Sequence, residues 1–294
     1  MSWKIGVDGG GTKTECILVD PAGAVVARHT GPGCNPSLVG VARAAQLALE
    51  ALGAVRAGHE KTVLSRTLLC MAGSQGFWKT FGEGLADHGL VSTLDDSLPV
   101  LELATRGNPG LVLHSGTGSL VAARSTDGSA HYAGGLGWRF GDEGSGYDLG
   151  RCAISRALLE LQGWAPPSAL GGLVRERAGG APASGVAAHF YAEPSAHPGI
   201  AGLAPDVLRL AAEGDPAAGE VVSKSVLGLL DLAISVSNRL FPGKLPDLFR
   251  AAVSGHILNH PFAYRVLAAK APFPLAAVTE PPIEGVRLLL ARSR

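Results

Sequence analysis

Short apolar runs broken by glycine turns open the chain. Trp3 to Asp8 predicts a buried strand, Thr14 to Asp20 a second and Val25 to His29 a third. Gly9-Gly10-Gly11-Thr12 and Pro21-Ala22-Gly23 are the turns between them. Helical spacing follows from Ser37 to Leu52, with Asn35 placed to cap it and Gly53 to end it. Arg66 to Met71 predicts an apolar strand running into Ala72-Gly73-Ser74, and Phe77 to His88 a short helix. Thr93 to Ser97 closes another strand ahead of a helical stretch through Leu103.

The second half repeats the opening. Leu111 to Leu113 predicts a strand, His114-Ser115-Gly116-Thr117-Gly118-Ser119 a turn, and Leu120 to Arg124 the returning strand, with Asp127-Gly128 as a further hairpin turn. Helical patterns occupy Tyr147 to Gln162, Ala204 to Glu213, Glu220 to Phe241 and Ile257 to Lys270. Ala251 to Ser254 is a short strand. Gly163 to Gly202 has weak periodicity and predicts short helices and loops. Ile283 to Arg294 is amphipathic and predicts a helix that docks back on the first half.

Gly134 to Gly150 carries seven glycines in seventeen residues, with the adjacent acids Asp142 and Glu143. So much glycine raises the entropic cost of folding, and either tight turns or the close approach of backbone to a ligand accounts for it. The first glycine turn lies inside a hairpin, so it is neither a Walker loop nor a dinucleotide fingerprint, both of which open a helix. It is a turn of bare amides with a Thr hydroxyl and Lys13 beside it. That suits phosphate oxygens, and it is equally an ordinary hairpin turn. Asp8, ending the first strand, is placed to hold Mg²⁺ through water. The second turn resembles the first in form, which suggests two related halves, each offering a turn to one ligand's phosphates. Asp95 and Asp96 are either a helix cap or a catalytic base. Asn35 is either a cap or a ligand. Glu143 is expected to support its loop while Asp142 faces a ligand.

Composition narrows the field. Lys plus Arg number 25, as do Asp plus Glu, so nothing favours an electrostatic nucleic-acid partner. Aromatic residues are scarce, which disfavours base-stacking platforms. Cys16, Cys34, Cys70 and Cys152 form no CxxC and predict reduced thiols in a cytoplasm. The start of the chain has neither a basic nor an apolar targeting region. Val221 to Phe241 carries Lys224, Asp231 and Arg239, so it predicts a buried helix rather than a membrane span. His256 and His260 are spaced i, i+4, but no third ligand accompanies them and Pro261 interrupts the helix, so no metal is expected there.

Taken in order, DGGGTKT (8–14), NP (35–36), TLDDS (93–97), SGTGS (115–119), GDEGSGYDLG (141–150), GDPAA (214–218), SGHIL (254–258) and PIEGVRLLLA (282–291) resemble the family of N-acetylglucosamine kinases and BadF/BadG-type ATPases, within the actin/sugar-kinase/Hsp70 superfamily. The resemblance implies an α/β fold of two ribonuclease-H-like (actin-like ATPase) domains, 1–107 plus 281–294 and 108–280, with ATP and sugar in the interdomain cleft. It implies that Gly9, Gly10, Gly11, Thr12 and Lys13 and then Gly116, Thr117, Gly118 and Ser119 straddle the phosphates, with Asp8 near Mg²⁺ and Gly255 against the adenosine. Asn35, Asp96, Thr117, Gly118, Gly135 and Asp142 would hold sugar hydroxyls, and Asp96 would be the base. Leu136 stands where the family commonly has Trp, and His256 replaces the second glycine of the adenosine pair. The activity so implied is an amino-sugar kinase acting on a small sugar, N-acetylglucosamine or glucosamine. The family's other branch, ATPase activators of radical dehydratases or reductases, needs cysteines that share an iron–sulfur cluster, and a non-catalytic sugar or nucleotide sensor on the same fold is the third alternative. Relatives often pair as homodimers.

Overall fold

A computed structural model of the 294-residue chain describes residues 2–192, 196–243 and 249–292. The chain divides into two compact units, Met1–Arg106 with Glu280–Arg294, and Gly107–Thr279.

The first unit is built on a five-stranded mixed sheet. Its strands are β1 (Trp3–Gly9), β2 (Lys13–Val19), β3 (Val25–Pro32), β4 (Leu64–Met71) and β5 (Leu90–Asp95), in the order β3-β2-β1-β4-β5. β1, β2 and β3 are antiparallel neighbours, whereas β4 and β5 join in parallel through crossovers. Helices α1 (Pro36–Val39), α2 (Val41–Val55) and α3 (Gln75–Glu83) precede α4 (Ser97–Thr105), and the C-terminal helix α12 (Pro282–Arg292) returns to the same unit. One sheet face and α2 bury Ile5, Val7, Leu18, Leu47, Leu52, Leu69 and Trp78. The other face packs Ile17, Leu68 and Cys70 under Ile283, Val286 and Leu290 of α12. Each such side chain contributes about 1.5–3 kcal/mol of burial. The expected docking of the last helix is therefore observed, and glycine makes it close. A Cβ on Gly6 would meet Val286 and Leu290, and one on Gly285 would lie 2.1 Å from the Pro99 carbonyl oxygen.

The second unit repeats the plan. Its strands are β6 (Gly110–Ser115), β7 (Ser119–Arg124), β8 (Ala130–Gly134), β9 (Arg250–Ser254) and β10 (Ala276–Val278), in the order β10-β9-β6-β7-β8. The first three are again antiparallel and the last two parallel. Helices α5 (Gly146–Leu161), α6 (Ala169–Arg177), α7 (Ala183–Tyr191), α8 (Ala196–Ala201), α9 (Ala204–Glu213), α10 (Pro216–Leu240) and α11 (Pro261–Lys270) surround it. Leu111, Leu113, Val121, Leu149, Val222 and Val253 belong to one core that draws only on this unit. α10 starts where Asp215 accepts from the Ala218 amide and Pro216 takes a position whose N–H has no helical partner. Among the described residues no helix is long and apolar enough to cross a membrane.

Three expectations need correction. The helix predicted from Ser37 to Leu52 is two helices, because Gly40 adopts φ 80°, a backbone conformation that neither helix can contain. Gly53 does not end α2; the helix continues to Val55, whose side chain is buried with Leu52. The predicted helix Ile257 to Lys270 starts only at Pro261, with His260 as its cap and Ile257 and Leu258 buried in the preceding turn. His256 and His260 therefore share no helix face. β8 and β10 are short edge strands that carry too little apolar alternation to stand out in the sequence.

Candidate active site

In the first unit the polar residues collect at one edge of the sheet, past the ends of β1, β3, β4 and β5. Open α/β sheets place ligand sites outside the carboxyl ends of their strands. The turn after β1 is fixed from below. The Gly10 amide donates to the Lys13 carbonyl at 2.9 Å, the Cys34 amide to the Gly10 carbonyl at 3.1 Å and the Ala72 amide to the Gly9 carbonyl at 2.7 Å. A Cβ on Gly33 would lie 2.2 Å from the Gly11 carbonyl oxygen, so two loops touch backbone to backbone. Gly11 and Thr12 are exposed, and among the described residues their amides donate to nothing. That is the bare-amide turn anticipated for phosphate. The Lys13 ammonium instead meets Glu15 at 2.6 Å.

Two carboxylates stand at the same edge. Asp8 is buried, and nothing among the described residues hydrogen-bonds it. Burial, then the Asp96 and Glu15 charges, push its carboxyl up to about 7, against the smaller pull of Lys13. The TLDDS pair divides its labour. Asp95 does the capping, with its Oδ1 accepting from the Ser97 amide at 3.0 Å and from the Ser97 hydroxyl. Asp96 occupies the cap position of α4 yet makes no capping bond, and burial followed by the Asp95 charge raises it to about 6. Asn35 is a cap as well, accepting from the Ser37 amide at 3.0 Å, while Gly73 at φ 91° leaves room beside its carbonyl oxygen. A buried carboxylate that no hydrogen bond engages and that a second carboxylate opposes is one that a cation would relieve. Mg²⁺, which keeps most of its water and takes further ligands from phosphates, needs no more protein donors than Asp8 offers. Among the described residues no group of three or more His, Cys, Asp or Glu gathers as a metal cage.

In the second unit the turn between β6 and β7 holds Gly116 to Gly118. The Gly116 amide donates to the Gly118 carbonyl at 2.9 Å, and the amides of Thr117 and Gly118 have no partner among the described residues. The glycine-rich stretch 134–150 is tied to this turn. The Gly146 amide donates to the Gly116 carbonyl at 2.8 Å, and the Ser115 and Ser119 hydroxyls donate to the carbonyls of Gly144 and Glu143, each at 2.6 Å. Asp142 adopts φ 68°, a strained backbone for a non-glycine residue. Its buried carboxylate lies against Gly118, where a Cβ would come within 3.1 Å. Burial raises its carboxyl against the amides of Ser119 and Gly137, which draw it down, and its Oδ1 has no protein partner. An orphaned acceptor held by a strained backbone next to two free amides suits a ligand hydroxyl. Gly135 is exposed at φ 70° in the same loop.

The support for that loop differs from expectation. The Glu143 side chain is exposed, and only its main chain ties the loop down. The carboxylate that does so is Asp148, which accepts from the Gly144 amide at 3.2 Å and from the Ser225 hydroxyl, and pairs with Arg151 at 2.7 Å. Asp148 was legible as the fourth residue of a Ser145 capping turn, which the Asp148 amide closes by donating to Ser145 Oγ. Trp138, which stands two residues past Leu136, is given no role by the sequence: its ring lies 5.0 Å from Tyr147 and 5.4 Å from His197, whose charge acts on Asp142. Leu136, at the position where the resemblance leads one to expect Trp, is 81% exposed. Gly255, at φ 91°, presses on β6 so closely that a Cβ would lie 1.9 Å from the Ser115 carbonyl oxygen. Beside it His114 is pushed down to about 4 by burial and by His256.

Residues 5–255 match the profile of the BadF/BadG/BcrA/BcrD ATPase family. The chain belongs to that family. It is 29% identical over 192 residues to the N-acetyl-D-glucosamine kinase of Dictyostelium discoideum, covering 59% of each protein. It is 31% identical over 170 residues to the N-acetylmuramic acid/N-acetylglucosamine kinase of Clostridium acetobutylicum, covering 54% of each. The match thus spans little more than half the length of these curated relatives. The crystal structure of a proposed N-acetylglucosamine kinase from Chromobacterium violaceum superposes over 99% of both chains with a TM-score of 0.78 at 27% identity. Within this BadF/BadG family member, Cys16, Cys34 and Cys70 are buried in the first unit and Cys152 is half-buried in the second. Burial pushes the Cys16 thiol up to about 12 and raises the other three as well, the opposite of thiolates poised to ligate.

Proposed function

We propose that this protein is an ATP-dependent amino-sugar kinase that transfers the γ-phosphoryl group to a hydroxyl of N-acetylglucosamine or glucosamine. One observation carries the reading. In the TLDDS pair Asp95 takes the capping bonds and leaves Asp96 out of the cap, its carboxyl raised, at the sheet edge that holds Asp8 and the bare amides of Gly11 and Thr12. A structural pair would spend both carboxylates on the helix. A phosphoryl-transfer site asks for positioning, charge neutralisation and one base.

On this reading Asp96 accepts the proton of the acceptor hydroxyl, while Asn35, Gly135, Asp142, Thr117 and Gly118 orient the sugar. The turns Gly9 to Lys13 and Gly116 to Ser119 receive phosphate oxygens through their amides, and Gly255 lies against the adenosine. Mg²⁺, held at Asp8 through water, supplies neutralisation of phosphate charge. The curated relatives act on N-acetylglucosamine by name, which favours that sugar class. A cytoplasmic setting, where ATP and reduced thiols coexist, belongs to the same proposal, as does a homodimer, checked by light scattering.

The test is a coupled ADP-release assay with Mg²⁺ across N-acetylglucosamine, glucosamine, N-acetylmuramic acid and glucose. Sugar-dependent ADP release is expected with at least one amino sugar. Asp96→Asn is expected to lower turnover by about 10²–10⁴-fold while the protein still melts cooperatively. Near-wild-type turnover in Asp96→Asn removes Asp96 as the base, and no sugar-dependent release across the panel removes the kinase reading.

A further inference from the structure

At the opposite end of the first unit's sheet, where the parallel strands begin, a cavity of about 570 Å³ opens beside α12. It is lined by Lys4 of β1, Arg66 of β4 and Arg287 of α12, with Ser65 and the Asp20–Gly23 turn at its rim. Lys4 and Arg66 are directly paired across neighbouring parallel strands. Strand alternation then puts both on the face that α12 covers, because Gly6 and Leu68, two residues further along, lie beneath Val286 and Leu290. The next row inward on that face, Ile17, Gly6 and Leu68, is apolar, so the cationic pair stands at its outer end.

Like charges paired across strands destabilise a sheet. Part of this row has a local explanation. Lys4 Nζ donates to the Leu290 carbonyl at 3.0 Å, a cation placed at the end of a helix. Arg66 has no such explanation, since no hydrogen bond or ion pair engages it among the described residues. Arg287 gives only its Nε to Glu284, at 2.7 Å, and Glu284 also takes Arg28. Asp20 is the one acid in the lining, and its Oδ1 already accepts from the amides of Ala22 and Ala24, each at 2.9 Å. Three cations thus converge on a cavity whose one carboxylate is committed to a turn.

We propose that this cavity is a second ligand site, distinct from the Asp8–Asp96 edge, and that it binds a small phosphate monoester. The volume falls within the range of small-molecule sites. Guanidinium groups from two elements and an ammonium from a third match the oxygens of a phosphate better than a single carboxylate would. The chain's zero formal charge and the limited volume of the cavity favour a small anion over a nucleic-acid backbone.

The experiment is calorimetric titration of the full chain, at low salt, with inorganic phosphate and separately with glucose 6-phosphate. Saturable binding is expected, weakened about tenfold by Arg66→Gln and by Arg287→Gln, and unchanged by Asp8→Asn. The two arginines sit on different elements, so a folding defect in one variant leaves the other informative. Tighter binding of glucose 6-phosphate, or equal binding of both probes, each supports the site and tells whether it reads the sugar as well. No saturable binding of either probe, unaltered binding in both arginine variants, or equal weakening by Asp8→Asn overturns it. No turnover is measured, so this outcome is independent of the kinase reading.

Discussion

Asp8 and Asp96 show what burial does to a carboxylate when its partners compensate only weakly. With Asp8 raised to about 7, the folded protein holds a proton that the unfolded chain has already released above pH 4. The contribution of Asp8 to stability therefore falls as pH rises from about 4 to about 7, because over that window its folded form binds more protons. Asp8→Asn removes the penalty. It is expected to stabilise the protein by on the order of 4 kcal/mol at pH 8 and to do little at pH 4, read by thermal melts at both pH values. A lower Tm at pH 8 would mean that Asp8 has a favourable partner in the fold. Mg²⁺ is expected to raise the wild-type Tm at pH 8 and to lose that effect in Asp8→Asn. The same reasoning gives a kinetic signature. Asp96 must be unprotonated to act as a base, so kcat/KM should drop as pH falls through about 6. A profile flat down to pH 5 would exclude it. The local pattern could not separate Asp95 from Asp96, since adjacent acids at a helix start are equally good caps, and only the family resemblance pointed to Asp96; the Ser97 bonds give the capping role to Asp95.

At the scale of elements, glycine divides into two kinds that the sequence does not distinguish. Gly285 lets α12 lie on the Pro99 carbonyl, with an added Cβ only 2.1 Å from that oxygen, whereas Gly53 sits inside α2 with nothing within 4 Å. Gly285→Ala should therefore destabilise by about 1–3 kcal/mol through overpacking. Gly53→Ala should stabilise by about 0.5–1 kcal/mol, because alanine loses less entropy in a helix. Denaturant titrations that move both midpoints in the same direction would contradict this. The strands flanking the first glycine turn of each unit, β1 with β2 and β6 with β7, were legible because apolar runs meet glycine there. The break at Gly40 was not, since a helix-compatible pattern continues across it and only φ 80° reveals the stop.

For the whole molecule, the repeated strand order is the organising fact: each unit has three antiparallel strands followed by two parallel ones. The cores are separate, with Leu111 to Phe273 packing in one unit and Ile5 to Leu85 in the other. The second unit is also continuous in sequence, whereas the first needs α12 from the far end of the chain. A fragment spanning 107–279 is therefore expected to fold alone, with a helix-dominated circular dichroism spectrum and a cooperative melt. A fragment without a cooperative transition would show that its core depends on the rest of the chain. The first unit without α12 would expose Ile17, Leu68 and Cys70, and should not hold together.

What the amino-acid order determined by itself was local: where strands start, where glycine turns expose amides, which acids end strands, and that the opening pattern occurs twice. These features depend on neighbours within a few residues, so periodicity and turn chemistry carry them. Only the folded chain decided which carboxylate is left out of the helix cap, that Asp148 rather than Glu143 secures the glycine-rich loop, and that Lys4, Arg66 and Arg287 share one cavity. The cavity joins side chains from distant positions, and the Ser225 hydroxyl reaches Asp148 from 77 residues away. The choice between Asp95 and Asp96 is local, but hydrogen-bond competition at Ser97 settles it and spacing alone does not.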